Sequence, residues 1–166
     1  MNFVADGYSF VPATPDDFPM LARWLEQDHV RRWWGDPDEE LAEIARIFGD
    51  PSMEALIVCH DGRPFAHQQS WDPALWPDYP LQDQPAGTRG IDQFIGEADM
   101  LGQGHGTRFI GAFTRHLLAQ GAPRVVIDPD PENLAAIRAY EKAGFTALDI
   151  RETGDGPALI MFQEPV

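Results

Sequence analysis

The chain has 166 residues, 43% of them hydrophobic and 23% charged, with a mean hydropathy of −0.32. That composition fits one globular domain, residues 1–166, and excludes the disordered, collagen-like and membrane-spanning classes. Acidic residues number 27 against 12 basic, a formal net charge of −15, which excludes a nucleic-acid partner, whose phosphates demand a basic surface, and favours a cationic one.

No apolar run is long enough to span a membrane, and the first residues are neither basic nor apolar enough for a secretory leader. The expectation is a cytoplasmic protein without membrane association, acting as a monomer or homodimer. Cys59 is the single cysteine; it excludes an intramolecular disulfide and CxxC-type zinc sites, and reads as a small buried apolar residue. His29, His60, His67, His105 and His116 form no metal-ligand spacing, so no metal is expected.

The first predicted strand runs from Tyr8 to Val11 and stops at Pro12. Thr14-Pro15-Asp16-Asp17 reads as a helix start, with apolar Phe18, Leu21 and Leu25 at helical spacing behind it. Asp36-Pro37-Asp38-Glu39-Glu40 repeats the signal ahead of Leu41, Ile44, Ile47 and Phe48, giving two early helices. Glu54 to His60 and Pro64 to Trp71 flank Asp61-Gly62, a hairpin turn dipeptide. Asp72 to Thr88 is a long proline-rich loop containing Trp76 and Tyr79, and loops of that length are more often functional than idle.

The second half alternates. A strand (Gly90 to Ile95) leads to a glycine-rich loop (Gly102 to Gly106), a helix (Thr107 to Gln120), a strand (Arg124 to Asp128) and a helix (Glu132 to Ala143). Two strands follow, Phe145 to Ile150 and Ala158 to Gln163. Hairpin at the front and alternation behind predict an α/β fold with a mixed sheet flanked by helices.

The loop Leu101-Gly102-Gln103-Gly104-His105-Gly106-Thr107 opens a helix whose Ile110, Phe113 and Leu117 form a buried stripe. Glycines let a backbone approach an anion, and a helix start presents unpaired N–H groups. Screening over about 8 Å lets these amides and Arg108 outweigh distant carboxylates, so a phosphate ligand is compatible with the acidic chain. A P-loop is excluded, because the only lysine is Lys142 and no Gly-Lys-Ser/Thr exists. The Gly-x-Gly-x-Gly spacing also departs from the dinucleotide fingerprint.

The segment Leu101 to Thr107, followed by Asp128-Pro-Asp-Pro-Glu-Asn133-Leu-Ala-Ala-Ile-Arg-Ala-Tyr140-Glu-Lys-Ala-Gly144-Phe145, resembles the coenzyme A signature of GNAT N-acetyltransferases. His29-Val30 with Trp33-Trp34-Gly35, Arg89-Gly90-Ile91-Asp92-Gln93 and Asp155-Gly156-Pro157-Ala158 resemble the aminoglycoside 6'-N-acetyltransferases, which modify antibiotics. The likeness spans residues 29 to 162 in order. It implies a single-domain, mostly antiparallel central sheet flanked by helices and splayed between its fourth and fifth predicted strands, Gly90 to Ile95 and Arg124 to Asp128, with acetyl-CoA as acyl donor.

By the same resemblance, the amides of Gln103, Gly104, His105, Gly106 and Thr107, with Arg108, would hold the pyrophosphate. Asn133 would meet the pantetheine arm, and the backbone of Phe94 and Ile95 would pair with it. Leu101 departs from the Gln or Arg that many members carry, which removes a polar side chain and leaves the amide cradle.

Amide formation needs a neutral nitrogen, yet a lysine-like amine sits about three units above neutral pH, so deprotonation costs about 4 kcal/mol in water. The resemblance gives Asp92 the role of meeting the amine and taking its proton. A carboxylate favours the ammonium form in the ground state, so that transfer belongs in or near the transition state. Tyr140 matches a tyrosine placed near the sulfur, where its hydroxyl would protonate the thiolate; at i, i+3 from Ile137 it also suits a packed helix face.

Trp34, Asp128 and Asp155 would join Asp92 in binding a small cationic amine, with Trp71 and Trp76 adding aromatic surface. One of Trp33 and Trp34 is expected in the core, with Trp34 preferred for the site. Other acceptors for the same machinery are a polyamine, a siderophore precursor or a peptide N-terminus. A non-catalytic acyl-CoA-binding sensor is a reading of a different class.

Overall fold

The computed structural model describes residues 2–166 and contains five α-helices and eight strands among them. The strand order is β1 (Phe3–Ala5), β2 (Tyr8–Pro12), β3 (Glu54–His60), β4 (Arg63–Trp71), β5 (Arg89–Ile95), β6 (Val125–Ile127), β8 (Gly156–Gln163), β7 (Thr146–Thr153). The β1–β2, β2–β3, β3–β4, β6–β8 and β7–β8 pairs are antiparallel. Parallel pairing joins β5 to β6, with Arg89 opposite Val125 and Gly90 opposite Val126. The register stops there, although β5 runs on to Ile95.

The chain forms two compact units, one comprising residues up to Ser70 with Gln93–His105, the other Trp71–Asp92 with Gly106–Val166. In the first unit, α1 (Phe18–Leu25), α2 (Asp28–Trp34) and α3 (Pro37–Ile47) bury Leu21, Trp24, Leu25, Val30, Ile44 and Ile47 with Ile57 and Phe94 of the strands. The start signals work as the sequence predicts: Asp17 accepts from the Thr14 N–H at 2.8 Å, and Asp36 caps α3 by accepting from the Glu39 N–H at 3.0 Å. In the second unit, α4 (His105–Ala119, whose first residue belongs to the first unit) contributes the expected stripe, with Phe109 added. Buried Val125, Val126, Ile127, Ile160 and Met161 come from β6 and β8.

Five features differ from the sequence expectation. β1 is an additional strand, turned into β2 by Asp6-Gly7, whose positive φ angles of 52° and 86° match the 50° and 78° of Asp61-Gly62. α2 is an additional helix; only Val30 in it is fully buried, so no apolar period marks it. α4 starts at His105 rather than Thr107, and α5 (Leu134–Ala143) starts behind Asn133, which is its N-cap rather than an interior residue. Cys59 is half-buried rather than buried, near the end of β3 and packed against the first unit's core.

His67 on β4 is wholly buried; its Nε2–H donates to Gln69 Oε1 at 2.9 Å, and Nδ1 has no partner. Burial pushes the imidazole down from 6.5 to about 4, so it is neutral at physiological pH. The unfolded chain therefore binds a proton that the folded chain refuses between those values, and stability falls as pH drops through the window. Chemical denaturation from pH 6.5 to pH 4 should show a loss on the order of 3 kcal/mol from this group. In His67→Gln that part of the slope should be missing.

Candidate active site

In the second unit, a carboxyl cluster gathers at the β5 and β6 ends. Asp92 lies on β5 and Asp128 follows β6; both are half-buried, and their carboxyl groups are within hydrogen-bonding reach of each other. Tyr79, from the loop between β4 and β5, donates its hydroxyl to the Asp128 carboxylate. The Asp128 carboxyl is pushed well above the usual range, first by burial and then by the Asp92 charge, with the Tyr79 bond opposing both. Asp155, exposed in the turn between β7 and β8, acts on Tyr79 through its charge.

An aromatic wall adjoins this cluster. The Tyr79 ring meets Trp71 edge-on at 5.6 Å, and the buried Trp71 indole N–H has no hydrogen-bond partner. An orphaned buried donor beside ionisable acids suits a ligand bearing both ammonium and oxygen acceptors. Sequence reasoning marked the loop and missed the contact: Tyr79 and Asp128 are 49 residues apart, and nothing local announces their meeting.

The glycine-rich loop is exposed from Leu101 to Gly104. Gly102 and Gly104 have φ of 70° and 83°, and a Cβ on either would meet nothing within 4 Å. These glycines serve backbone conformation and open approach, not internal packing. α4 then begins with no acid in its first turn, whereas the first turn of α3 holds Asp38, Glu39 and Glu40. Exposed Arg108 stands in that turn instead, where the helix dipole ordinarily favours a carboxylate. These features fit a diphosphate.

The side chains of the loop are engaged elsewhere, which leaves the backbone as its ligand-facing part. Gln103 Nε2 donates to Asp99 O at 2.6 Å, and the Thr107 hydroxyl donates to Ala139 O at 3.3 Å. The buried His105 ring shares a 2.8 Å hydrogen bond with the Tyr8 hydroxyl. Gly106 continues into α4.

The other expected residues have structural partners too. Asn133 accepts from the Ala136 N–H at 3.3 Å as the α5 cap. Phe94 is buried, edge-on to Trp34 at 4.9 Å and to Trp24 at 6.3 Å. The Ile95 carbonyl accepts from His29 Nε2–H at 2.7 Å, so strand-like pairing of a ligand there must share that oxygen. Trp34 is half-buried against the first unit's core, and Trp33 carries the Arg32 guanidinium 4.9 Å above its ring. Tyr140 is half-buried on α5, with Phe145 at 6.4 Å. Among the described residues no group of three or more His, Cys, Asp or Glu is placed to hold a metal ion, and no helix is long and apolar enough to cross a membrane.

The mixed sheet and its flanking helices are an architecture shared with acetyltransferases. Residues 13–152 match the acetyltransferase (GNAT) domain model, and the chain belongs to that family. The aminoglycoside N(6')-acetyltransferase type 1 of Klebsiella pneumoniae is 33% identical over 163 residues, covering 90% of this chain and 79% of that protein. A kanamycin resistance protein of Rhizobium radiobacter is 42% identical over 83 residues, 49% of this chain and 77% of its own. Among solved structures, AAC(6')-Ib in complex with ribostamycin and coenzyme A superposes with a TM-score of 0.86 at 32% identity, covering 96% of this chain and 94% of that one.

The half-buried carboxyl pair should cost stability. Asn at position 128 would accept from Tyr79 and donate to Asp92, keeping both contacts without the charge. Asp128→Asn is expected to raise the unfolding free energy at pH 7 by about 0.5–2 kcal/mol. A carboxyl with a raised folded-state pKa destabilises above its unfolded value, so the gain should vanish near pH 4 and below. Denaturant titrations at both pH values check it.

Proposed function

We propose that the protein transfers the acetyl group of acetyl-CoA to a primary amine of a small polycation, the 6'-amine of an aminoglycoside being the best-supported acceptor. The observation that carries this reading is the Asp92–Asp128 pair, two half-buried carboxyl groups within hydrogen-bonding reach of each other, whose mutual repulsion a cationic amine would relieve. The relatives support the acceptor class: solved complexes of AAC(6')-Ib hold ribostamycin or kanamycin together with coenzyme A. A cytoplasmic location goes with a cytoplasmic acyl donor.

The amides of Gln103 to Thr107 and the Arg108 guanidinium would hold the diphosphate. Bound there, the coenzyme supplies a thioester carbonyl open to attack by nitrogen. Asn133 has its Oδ1 on Ala136 N–H, so a contact to the pantetheine arm falls to its Nδ2 donors. Backbone groups of Phe94 and Ile95 would align the arm.

Asp92 would hold the ammonium group and accept its proton as the nitrogen forms its new bond. Free amine and carboxylate are poorly matched, since the ammonium is the weaker acid by about six units. Asp128 reduces that mismatch, because a neighbouring carboxylate that resists sharing its charge makes the pair a stronger base than either acid alone. Asp155 would orient the remaining amines and the sugar, and Tyr140 Oη would return a proton to the departing sulfur.

Release of free thiol from acetyl-CoA with kanamycin, ribostamycin, spermidine and an unblocked peptide tests activity and acceptor class together. Kanamycin and ribostamycin should be turned over; silence with every amine would reduce the protein to an acyl-CoA binder. Asp92→Asn should lower kcat about 10²- to 10⁴-fold while acetyl-CoA affinity stays within about twofold. Gly104→Val, at a positive φ that a β-branched residue resists, should weaken acetyl-CoA binding at least about tenfold by calorimetry.

A further inference from the structure

We propose that Tyr79 is a positioning residue of the acceptor site: its hydroxyl, delivered by a fastened loop, donates to the Asp128 carboxyl beside Asp92 and so favours the ionised pair that an incoming ammonium group needs. The proposal rests on the acetyltransferase reading and deepens it.

The loop carrying Tyr79 is long, yet it is tied down on every side. Gln82 Nε2 donates to the carbonyls of Pro73, Trp76 and Tyr79 at 2.9, 2.8 and 3.3 Å. Arg151 of β7 forks onto Asp83 at 2.7 and 3.0 Å and reaches the Pro80 carbonyl at 2.8 Å. Arg124 donates to Gln84 at 2.9 Å. A chain with 12 cations among 27 acids thus commits two arginines to the segment that places one phenol. The ring itself rests edge-on against Trp71.

Three groups bear on Asp128 and Tyr79: Asp92 from β5, Asp128 after β6, and Asp155 from the turn ahead of β8. All are acidic, so Tyr79 is the neutral donor in an anionic cluster. Burial and the Asp128 charge push the Tyr79 phenol far up, so it stays protonated and donates at every physiological pH. It therefore cannot take the amine's proton. What it does is favour the charged form of Asp128, which burial and Asp92 disfavour.

Removing the hydroxyl should let Asp128 keep a proton to higher pH, and that proton occupies the place of the ammonium group. A hydrogen bond to a charged acceptor shifts such an equilibrium by about one pH unit or more.

Infrared titration of the ligand-free protein reads the protonated carboxyl without any substrate. The Asp128 band, assigned by its loss in Asp128→Asn, should have its midpoint about one pH unit higher in Tyr79→Phe. An unmoved midpoint overturns the proposal, as does a downward shift. Calorimetry with kanamycin should show the acid limb of affinity moving upward by the same amount, with the acetyl-CoA KM unchanged; the drug's own amines titrate alike in both proteins and cancel. Tighter kanamycin binding by Tyr79→Phe at all pH values would mean that the hydroxyl merely obstructs Asp128. In Tyr79→Phe/Asp128→Asn no further change beyond Asp128→Asn is expected. Phenylalanine keeps the ring on Trp71, and an unchanged denaturation midpoint above pH 7 confirms the fold. If no amine is turned over, the acetyltransferase reading fails; a shifted infrared band with no turnover leaves the Tyr79–Asp128 coupling standing on its own.

Discussion

Two half-buried carboxyl groups within hydrogen-bonding reach of each other form a costly arrangement in the second unit. Desolvation and mutual repulsion both oppose ionisation, and a fold selected for stability alone would have a neutral pair there. The surrounding structure is arranged to sustain it. β5 and β6 bring the two acids together from strands that pair in parallel only at their first residues, and a phenol is carried in from a separate loop. The stabilisation missing in the free protein is what a cation would supply, so the same feature that weakens the fold prepares it for an amine.

The opposite electrostatic problem arises at the start of α4. A chain of net charge −15 has to accept a diphosphate, and its average field works against that. The answer is local: no acid in the first turn, an arginine where the dipole ordinarily favours a carboxylate, and exposed glycines whose positive φ angles turn the backbone outward. The loop also keeps its shape without help from the ligand. Tyr8 holds the His105 ring, Asp99 receives Gln103, and Arg63 grips the Asp99 carboxylate at 2.8 Å. Preorganised donors cost less ordering on binding than a mobile loop would.

How much of this was legible in the sequence follows the range of the interactions. Asp61-Gly62 and the caps at Asp17 and Asp36 act within a few residues, and each appears where the local pattern put it. The glycine loop is also a local object, and so is the stripe behind it. α2 left no trace because a seven-residue helix with one buried position has no period to read; its fastening is the His29 bond to Ile95, 66 residues away. β1 escaped for a related reason, since three residues are too few to show alternation. Asp92, Asp128 and Asp155 were singled out by family likeness, not by spacing, and their mutual geometry came only from the fold. Tyr79 sat in a segment recognised as unusual, yet a phenol in a proline-rich loop does not reveal its acceptor.

That last case bears on how acceptor choice is built. The strands fix where Asp92 and Asp128 stand, but their ionisation depends on a loop outside the sheet, held to it by side chains. Its anchor is Arg151, whose guanidinium binds Asp83, Asp149 and the Pro80 carbonyl at once and is pushed upward by the two carboxylates. Asp83 is correspondingly held down to about 2, so this fork persists well below the pH at which an ordinary carboxylate titrates. The fastening is thus insensitive to the conditions that titrate Asp128. A loop tied by groups that do not titrate, presenting a phenol that does not titrate, leaves the carboxyl pair as the one part free to exchange a proton for an ammonium group.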